Sequence, residues 1–120
     1  MPTFAEHRRQ VNHNESIFPK MLEPRTNACD WAITVMFYTA LHFFDAYLDE
    51  KLGFHPQNHK ERNKQFQLLL PGPWDHYLRL LNASKNARYK VSYLGPDASE
   101  YFKRLKSDNY LPLKSHFESI

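Results

Sequence analysis

The feature that most constrains the fold is the stretch from position 27 to 52, which contains neither proline nor glycine. Asn27 is a candidate cap for its start, and Gly53, the residue type preferred just after helices, follows its end. The stretch therefore predicts one long helix that acts as the spine of the domain.

This predicted helix is apolar on more than one side. Residues at helical spacing form two stripes, namely Ala28, Ala32, Met36, Thr39, Phe43 and Ala46 on one and Ile33, Phe37, Phe44 and Leu48 on the other. Such a helix cannot lie on a surface, so we expect it to be central or its second stripe to be covered by another chain. Because a small bundle has few helices to cover both stripes, the pattern predicts a homodimer.

A polar row interrupts the same helix. Tyr38, His42 and Asp45 are four and three residues apart, which places them along one face, and Asp49 extends the row. Polar side chains within an apolar helix need partners, because a buried unpaired polar group costs roughly 1–3 kcal/mol. The row is therefore the first candidate site.

Capping pairs and prolines predict the elements that flank this helix. Thr3 with Glu6 matches a capping box and predicts a first helix to about Asn14. Pro19 and Pro24 predict an extended or turned segment between the two helices.

Three more helices are predicted in the second half. Asn58 with Glu61 predicts one at 59–69, which the sequence PGP at 71–73 should stop, and another should occupy 74–89. The last is predicted at 98–118 with an interruption at Pro112. Because no window shows sustained period-two alternation, the sequence predicts an all-α, up-and-down bundle of four to five helices.

Length and composition agree with this fold class. A chain of 120 residues is the size of a single domain, and one cysteine cannot form an internal disulfide. No apolar signal segment or uncharged run long enough for a membrane span is present, so we expect a cytoplasmic protein. Residues 61–120 carry ten Lys and Arg against six Asp and Glu, which makes this half the one suited to a phosphate-bearing partner, although ordinary surface lysines would give the same balance.

Three segments in this order, DWAITVMFYTALHFFDAYL, HPQNHKERN and SKNARYK, resemble the HEPN family of higher-eukaryote and prokaryote nucleotide-binding domains. The likeness runs over about residues 28–117 and rests on a Tyr-x-Ala-x-His stretch, a His after the next loop, and an Arg-and-Tyr segment. It implies a helical bundle, often a homodimer, that binds nucleotides or RNA in prokaryotic defence or toxin–antitoxin systems.

Many HEPN domains are metal-independent endoribonucleases with an Arg, four to six intervening residues and a His. This sequence departs from that pattern, because the next histidine after Arg88 is the distant His116. Only Arg8 and His13 have the required spacing, and they lie on the first predicted helix, outside the span of the likeness. We therefore expect no vigorous ribonuclease activity.

The resemblance and the polar row together define the candidate site. Catalytic candidates are His42, His59 and Arg88, and candidate ligand-binding residues are Tyr38, Asp45, Arg62, Lys85 and Tyr89. In one interpretation Arg88 holds a phosphate, His59 lies at a helix N-terminus and Tyr38 donates a hydroxyl. In the other the residues form a structural network, with Asp45 paired to Arg88 or Lys85 and His42 bonded to a backbone carbonyl.

The spacing of histidines and cysteines predicts no metal site, and no glycine-rich motif predicts a nucleotide cofactor. Two functions from different classes follow. The first is a nucleotide- or RNA-binding HEPN-like domain. The second is a non-catalytic helical module that binds a protein partner, such as a nucleotidyltransferase-type protein or another defence component.

Overall fold

A computed structural model describes residues 4–22, 28–89 and 98–119, and in these ranges the chain is all-α. The helices are α1 (Phe4–Met21), α2 (Cys29–Leu52), α3 (His59–Leu69), α4 (Pro71–Tyr89), α5 (Ala98–Leu105) and α6 (Leu111–Ser119). A π-helical segment, Lys106–Tyr110, joins α5 to α6. No strand occurs in the described ranges, and the helices pack as a bundle.

Local sequence signals account for the ends of α2 and α3. Gly53 adopts a left-handed conformation with φ of 61°, and its N–H bonds back to the carbonyl of Asp49 at 3.1 Å. Asn58 caps α3 because its side chain accepts a hydrogen bond from the Glu61 N–H at 2.8 Å. The predicted bounds of α3 are confirmed, whereas the candidate caps Thr3 and Asn27 lie outside the described residues.

The prediction that α1 ends near Asn14 is wrong, because the helix continues through Pro19 to Met21. Phe18 is buried and contacts the rings of Phe102 and Tyr110. Burying this ring keeps the last turn helical although proline removes one backbone donor.

Two other segments that contain proline are accommodated differently from what the sequence predicts. The PGP segment ends α3 but is also the first turn of α4. Proline is tolerated there because backbone N–H groups in a first turn have no acceptor within the helix. Before Pro112 the helix does not simply kink but widens into the π-helical segment, in which Asn109 and Tyr110 are buried.

The two apolar stripes of α2 are covered within one chain. Phe37 and Phe44 are fully buried against the rings of Tyr77 in α4 and Phe66 in α3, while Phe43 faces Phe117 in α6. The expectation that a second chain must cover one stripe is therefore not met by these residues. None of the described helices combines the length and the apolar character needed to span a bilayer.

Helix α1 attaches to this core through one stripe at seven-residue repeats: His7, Val11, Asn14 and Phe18 are all buried. Asn14 donates to the Thr39 hydroxyl of α2 at 3.0 Å. Glu15 accepts hydrogen bonds from the Tyr110 hydroxyl and the Lys114 ammonium, both at 2.8 Å, which ties α1 to the C-terminal helices.

Candidate functional site

Side chains from α2, α3 and α4 meet on one side of the bundle. Asp45 and Tyr38 come from one face of α2, because they are seven residues, or two turns, apart. His59 and Arg62 lie in the first turn of α3, and the last turn of α4 supplies Arg88. We call these five residues the cationic cluster.

Arg62 pairs with Asp45 at two points. Its Nε lies 2.8 Å from Oδ1 and its Nη2 lies 3.1 Å from Oδ2, and the two side chains are only 12% and 14% exposed. The partner of Asp45 is thus Arg62 rather than the Arg88 or Lys85 considered from the sequence. This bidentate geometry is the strongest form of arginine–carboxylate contact, and it holds α3 against α2.

Arg88 reaches the other end of the cluster. Its Nη1 donates to the Tyr38 hydroxyl oxygen at 3.1 Å, its Nε donates to the Ser84 carbonyl at 3.3 Å, and its guanidinium lies 5.7 Å from the Tyr38 ring centroid. Because the Tyr38 oxygen accepts from Arg88, its own proton can be donated to another acceptor. Tyr38 and Arg88 therefore form a paired donor group at the surface.

His59 is exposed, and its ring centroid lies 6.4 Å from that of Tyr38. Its Nδ1 is 3.3 Å from Arg62 Nη1, and since a guanidinium only donates, this nitrogen accepts and the proton of the neutral ring lies on Nε2. Desolvation lowers the pKa of His59, and the positive charges of Arg62, Arg88 and Lys85 lower it further against an opposing effect of Asp45. His59 is therefore a neutral hydrogen-bond donor, and most of the charged groups that act on it are cations.

His42 makes a contact that sequence reasoning missed. Its Nδ1 lies 3.0 Å from Nδ1 of His7 in α1, so one ring donates and the other accepts, and among the described residues no backbone carbonyl bonds to His42. Burial lowers the pKa of both rings, and the charge of His7 lowers that of His42 further. The signal for His7 was its place on the buried stripe of α1, seven residues before Asn14.

The remaining candidates lie at the edge of the cluster or outside it. Lys85 is exposed on α4, and Asp49 pairs with His55 at 3.1 Å rather than with the cluster. Tyr89 ends α4, and its side chain lies outside the described part of the chain.

Behind the cluster lies Tyr77, whose hydroxyl is buried with no hydrogen-bond partner among the described residues. Burial raises the pKa of Tyr77 above its ordinary value, and the charges of Arg62 and Asp45 act on it in opposite directions. Tyr77 and Trp74 contact Phe66, so these rings of α4 belong to the core. Tyr77 is fully buried and Trp74 is packed against the core, so the two rings do not form an exposed base-stacking surface.

Arg8 and His13 do not form a joint site. Residues five apart are about 140° apart around a helix, and Arg8 lies 5.0 Å from the Phe43 ring while His13 is exposed. Arg8 lines a cleft of about 440 Å³ between α1, α2 and α6, and Lys51, Glu50 and Glu118 line the same cleft. This cleft is lined by two cationic and two anionic side chains, whereas three cations and one carboxylate act on His59.

The cluster offers charge and hydrogen-bond donors rather than metal ligands. Within the ranges 4–22, 28–89 and 98–119, no group of three or more His, Cys, Asp or Glu side chains is placed to hold a metal ion. Chemically, the cluster can bind an anion through Arg88, Tyr38 and His59 Nε2, while the Arg62–Asp45 pair supports the site from beneath.

Comparison with known proteins does not assign the chain to a family. No family model, no curated protein and no solved structure matches it.

Proposed function

We propose that the chain is a HEPN-like nucleotide- or RNA-binding domain of the defence or toxin–antitoxin type, and that the cationic cluster binds its phosphate. The observation that carries the proposal is the set of charges around His59. Three cations, Arg62, Arg88 and Lys85, act on this ring against one carboxylate, Asp45. Because Arg62 is already paired with Asp45, the other two positive charges that act on His59 are those of Arg88 and Lys85.

The donors around this field suit a phosphate. The Tyr38 proton and His59 Nε2–H are neutral donors, and the guanidinium of Arg88 supplies both charge and planar N–H groups. His59 opens α3, so the partial positive charge of that helix terminus adds to the attraction.

The same geometry supports binding without vigorous cleavage. General acid–base catalysis on a phosphodiester needs one group that accepts a proton and another that donates it. His59 Nδ1 is occupied by Arg62, and His42 Nδ1 is occupied by His7. The enzymatic alternative is a metal-independent endoribonuclease that uses His59 or His42 as general acid–base and Arg88 as the phosphate ligand.

The test is the affinity for a labelled single-stranded RNA, measured by fluorescence anisotropy at low salt. Arg88→Ala should weaken binding at least about tenfold, because a hydrogen bond to a charged group contributes roughly 1.5–3 kcal/mol. Arg79→Ala is the matched control, since Arg79 is exposed on the same helix and its loss removes the same charge. Equal affinities of the two variants would contradict the phosphate site.

Salt and chelator complete this test. Binding to phosphates should weaken steeply as ionic strength rises. RNA cleavage that survives EDTA and disappears in His59→Ala would overturn the expectation of binding alone and assign His59 the catalytic role.

A second candidate function is a protein-interaction module, including the homodimer that the resemblance implies. It is favoured by Leu68 and Leu69 at the end of α3, which are 66% and 38% exposed. Sedimentation equilibrium should then show a dimer for the wild type and a monomer for Leu68→Lys. A monomer at all concentrations would exclude the homodimer.

A further inference from the structure

A second feature lies beside the cationic cluster, at the start of α2. Trp31 is 60% exposed, although it is one of the largest apolar side chains of the chain. It is seven residues before Tyr38, which places it two turns away on the same face of α2. The exposed ring therefore continues the row of Tyr38 and Asp45.

A small cavity adjoins this ring. It has a volume of about 240 Å³ and is lined by Asp30, Trp31, Thr34, Ala87 and Arg88. Pockets for drug-sized ligands are larger, at roughly 300–1,000 Å³, so the cavity suits a single planar ring system rather than a whole dinucleotide. Arg88 lines the cavity and also bonds to Tyr38, so the cavity and the cationic cluster share one residue.

The acidic group among the residues that line the cavity is the carboxylate of Asp30. It makes no hydrogen bond or ion pair with the residues that the structure describes, whereas the backbone carbonyl of Asp30 accepts from the Thr34 hydroxyl at 3.1 Å. An ionised carboxylate accepts only, through two oxygens side by side. It therefore selects a ligand with two adjacent N–H donors.

We propose that this cavity is a base-binding subsite for an unpaired guanine nucleotide, with the base stacked on Trp31 and its phosphate on Arg88. Guanine is the nucleobase that presents two adjacent donors, N1–H and the N2 amino group, at its Watson–Crick edge. Adenine and cytosine pair one donor with an acceptor there, and uracil has one donor between two carbonyls. Recognition by stacking and edge contacts requires a base that is not in a duplex.

This inference rests on the proposed function, because it uses Arg88 as the phosphate ligand. It goes further in naming the base, and it places the base on α2 and the phosphate between α2 and α4. The guanine can belong to a free nucleotide or to a single-stranded RNA, since both present the same base and phosphate.

The experiment uses the intrinsic fluorescence of Trp31. The chain has two tryptophans, so Trp74→Phe leaves Trp31 as the reporter, and circular dichroism checks that this variant is folded. GMP should quench the emission more strongly than AMP, CMP or UMP at equal concentration. A short oligouridylate with and without one added guanosine tests whether RNA is the source of the base.

Variants then separate the parts of the subsite. Trp31→Ala should weaken GMP binding, measured by calorimetry, at least about tenfold, the size expected when a stacked base loses its aromatic partner. Leu52→Ala, which removes an exposed apolar side chain at the other end of α2, should leave it unchanged. Asp30→Asn should reduce the preference for GMP over AMP about tenfold, because one of the two acceptors is lost.

The failure of this inference is distinguishable from that of the proposed function. If GMP binds in an Arg88-dependent manner but equally well in Trp31→Ala, the base subsite is wrong and the phosphate site stands. If phosphate-free guanosine quenches Trp31 and Arg88→Ala has no effect on GMP affinity, the base subsite stands and the phosphate assignment is wrong. If no nucleotide, RNA or inorganic phosphate binds, both are wrong.

Discussion

Arg62 and Asp45 belong to the proposed site, but their pairing mainly stabilises the packing of α3 against α2. Both side chains are largely removed from water, and each supplies the charge that the other needs. Breaking such a pair leaves a buried charge uncompensated, which costs roughly 3–5 kcal/mol in a fully buried setting. Partial exposure reduces this figure, so we place the cost at the lower end.

We expect Arg62→Ala to lower the free energy of unfolding by about 3 kcal/mol, measured by urea denaturation at neutral pH. Arg79→Ala, at an exposed position, should change it by no more than about 0.5 kcal/mol. Replacing the pair together, as Arg62→Met with Asp45→Leu, should recover most of the loss because no charge is left unpaired. A single variant as stable as Arg79→Ala would show that the pair contributes little.

The His7–His42 pair makes stability depend on pH. Burial lowers the pKa of both rings below the ordinary 6.5. The carboxylates opposite act against this: Asp45 raises both pKa values, and Asp49 and Glu6 also raise that of His7. The charge of His55 lowers the pKa of His7 further, and that of Arg62 lowers the pKa of His42. Near and below pH 6.5 the unfolded chain therefore binds more protons than the folded chain. The free energy of unfolding should be largest above 6.5 and fall as the pH drops through that value.

Each excess proton on the unfolded chain gives a slope of at most about 1.4 kcal/mol per pH unit, and solvent screening at the partly exposed His42 makes it smaller. Urea denaturation between about pH 8 and about pH 5, the interval in which histidine changes its charge, measures this slope. His7→Gln should flatten it, because one titrating ring and the contact with the other are removed. His13→Gln, an exposed substitution on the same helix, should retain it.

At the scale of the elements, the cap of α3 matters for function because it positions His59 and Arg62. Asn58 satisfies an N–H that the helix itself leaves without a partner. Asn58→Ala should lower the free energy of unfolding by about 1 kcal/mol, whereas Asn58→Asp should retain stability. Thermal unfolding followed by circular dichroism measures both changes.

The same substitution tests the link between helix and site. If the start of α3 positions His59 for the ligand, Asn58→Ala should weaken RNA binding although Asn58 is not itself a proposed ligand-binding residue. Asn58→Asp, which keeps the cap, should not weaken it. Equal binding by Asn58→Ala and the wild type would show that the cluster tolerates a frayed helix start.

At the scale of the whole molecule, the aromatic core between α2, α3, α4 and α6 is what brings the site residues together. Phe44 is fully buried and its ring centroid lies 4.4 Å from that of Phe66. Phe44→Ala should lower the free energy of unfolding by roughly 3–5 kcal/mol, because the cavity it leaves lies within a packed core. Urea denaturation of this variant and of Leu52→Ala, an exposed control, gives the comparison.

Because Phe44 is buried within one chain, a charged substitution there tests folding rather than self-association. Phe44→Glu should reduce helix content in far-UV circular dichroism at concentrations where the wild type is folded. A variant that keeps full helix content and loses only self-association would contradict the burial of Phe44 within one chain.

The sequence by itself determined the local features of this protein. Hydrogen bonds within four residues end α2 at Gly53 and begin α3 after Asn58, and the three-and-four spacing places Tyr38, His42 and Asp45 on one face. These depend only on neighbouring residues, so pattern and capping reasoning predicts them. The sequence does not predict the end of α1 beyond Pro19, because that end depends on the packing of Phe18. Nor does it predict the start of α4 at Pro71, because proline can either stop a helix or occupy its first turn.

Only the tertiary structure decided which distant side chains meet. Arg62, rather than Arg88, reaches Asp45, and His7 from α1 meets His42, because helix packing sets which turns face each other at distances of a few ångströms. Packing also covers both stripes of α2 within one chain and leaves Trp31 exposed beside Arg88. Such contacts join residues far apart in the chain, and helical periodicity predicts the face on which a side chain lies but not its partner.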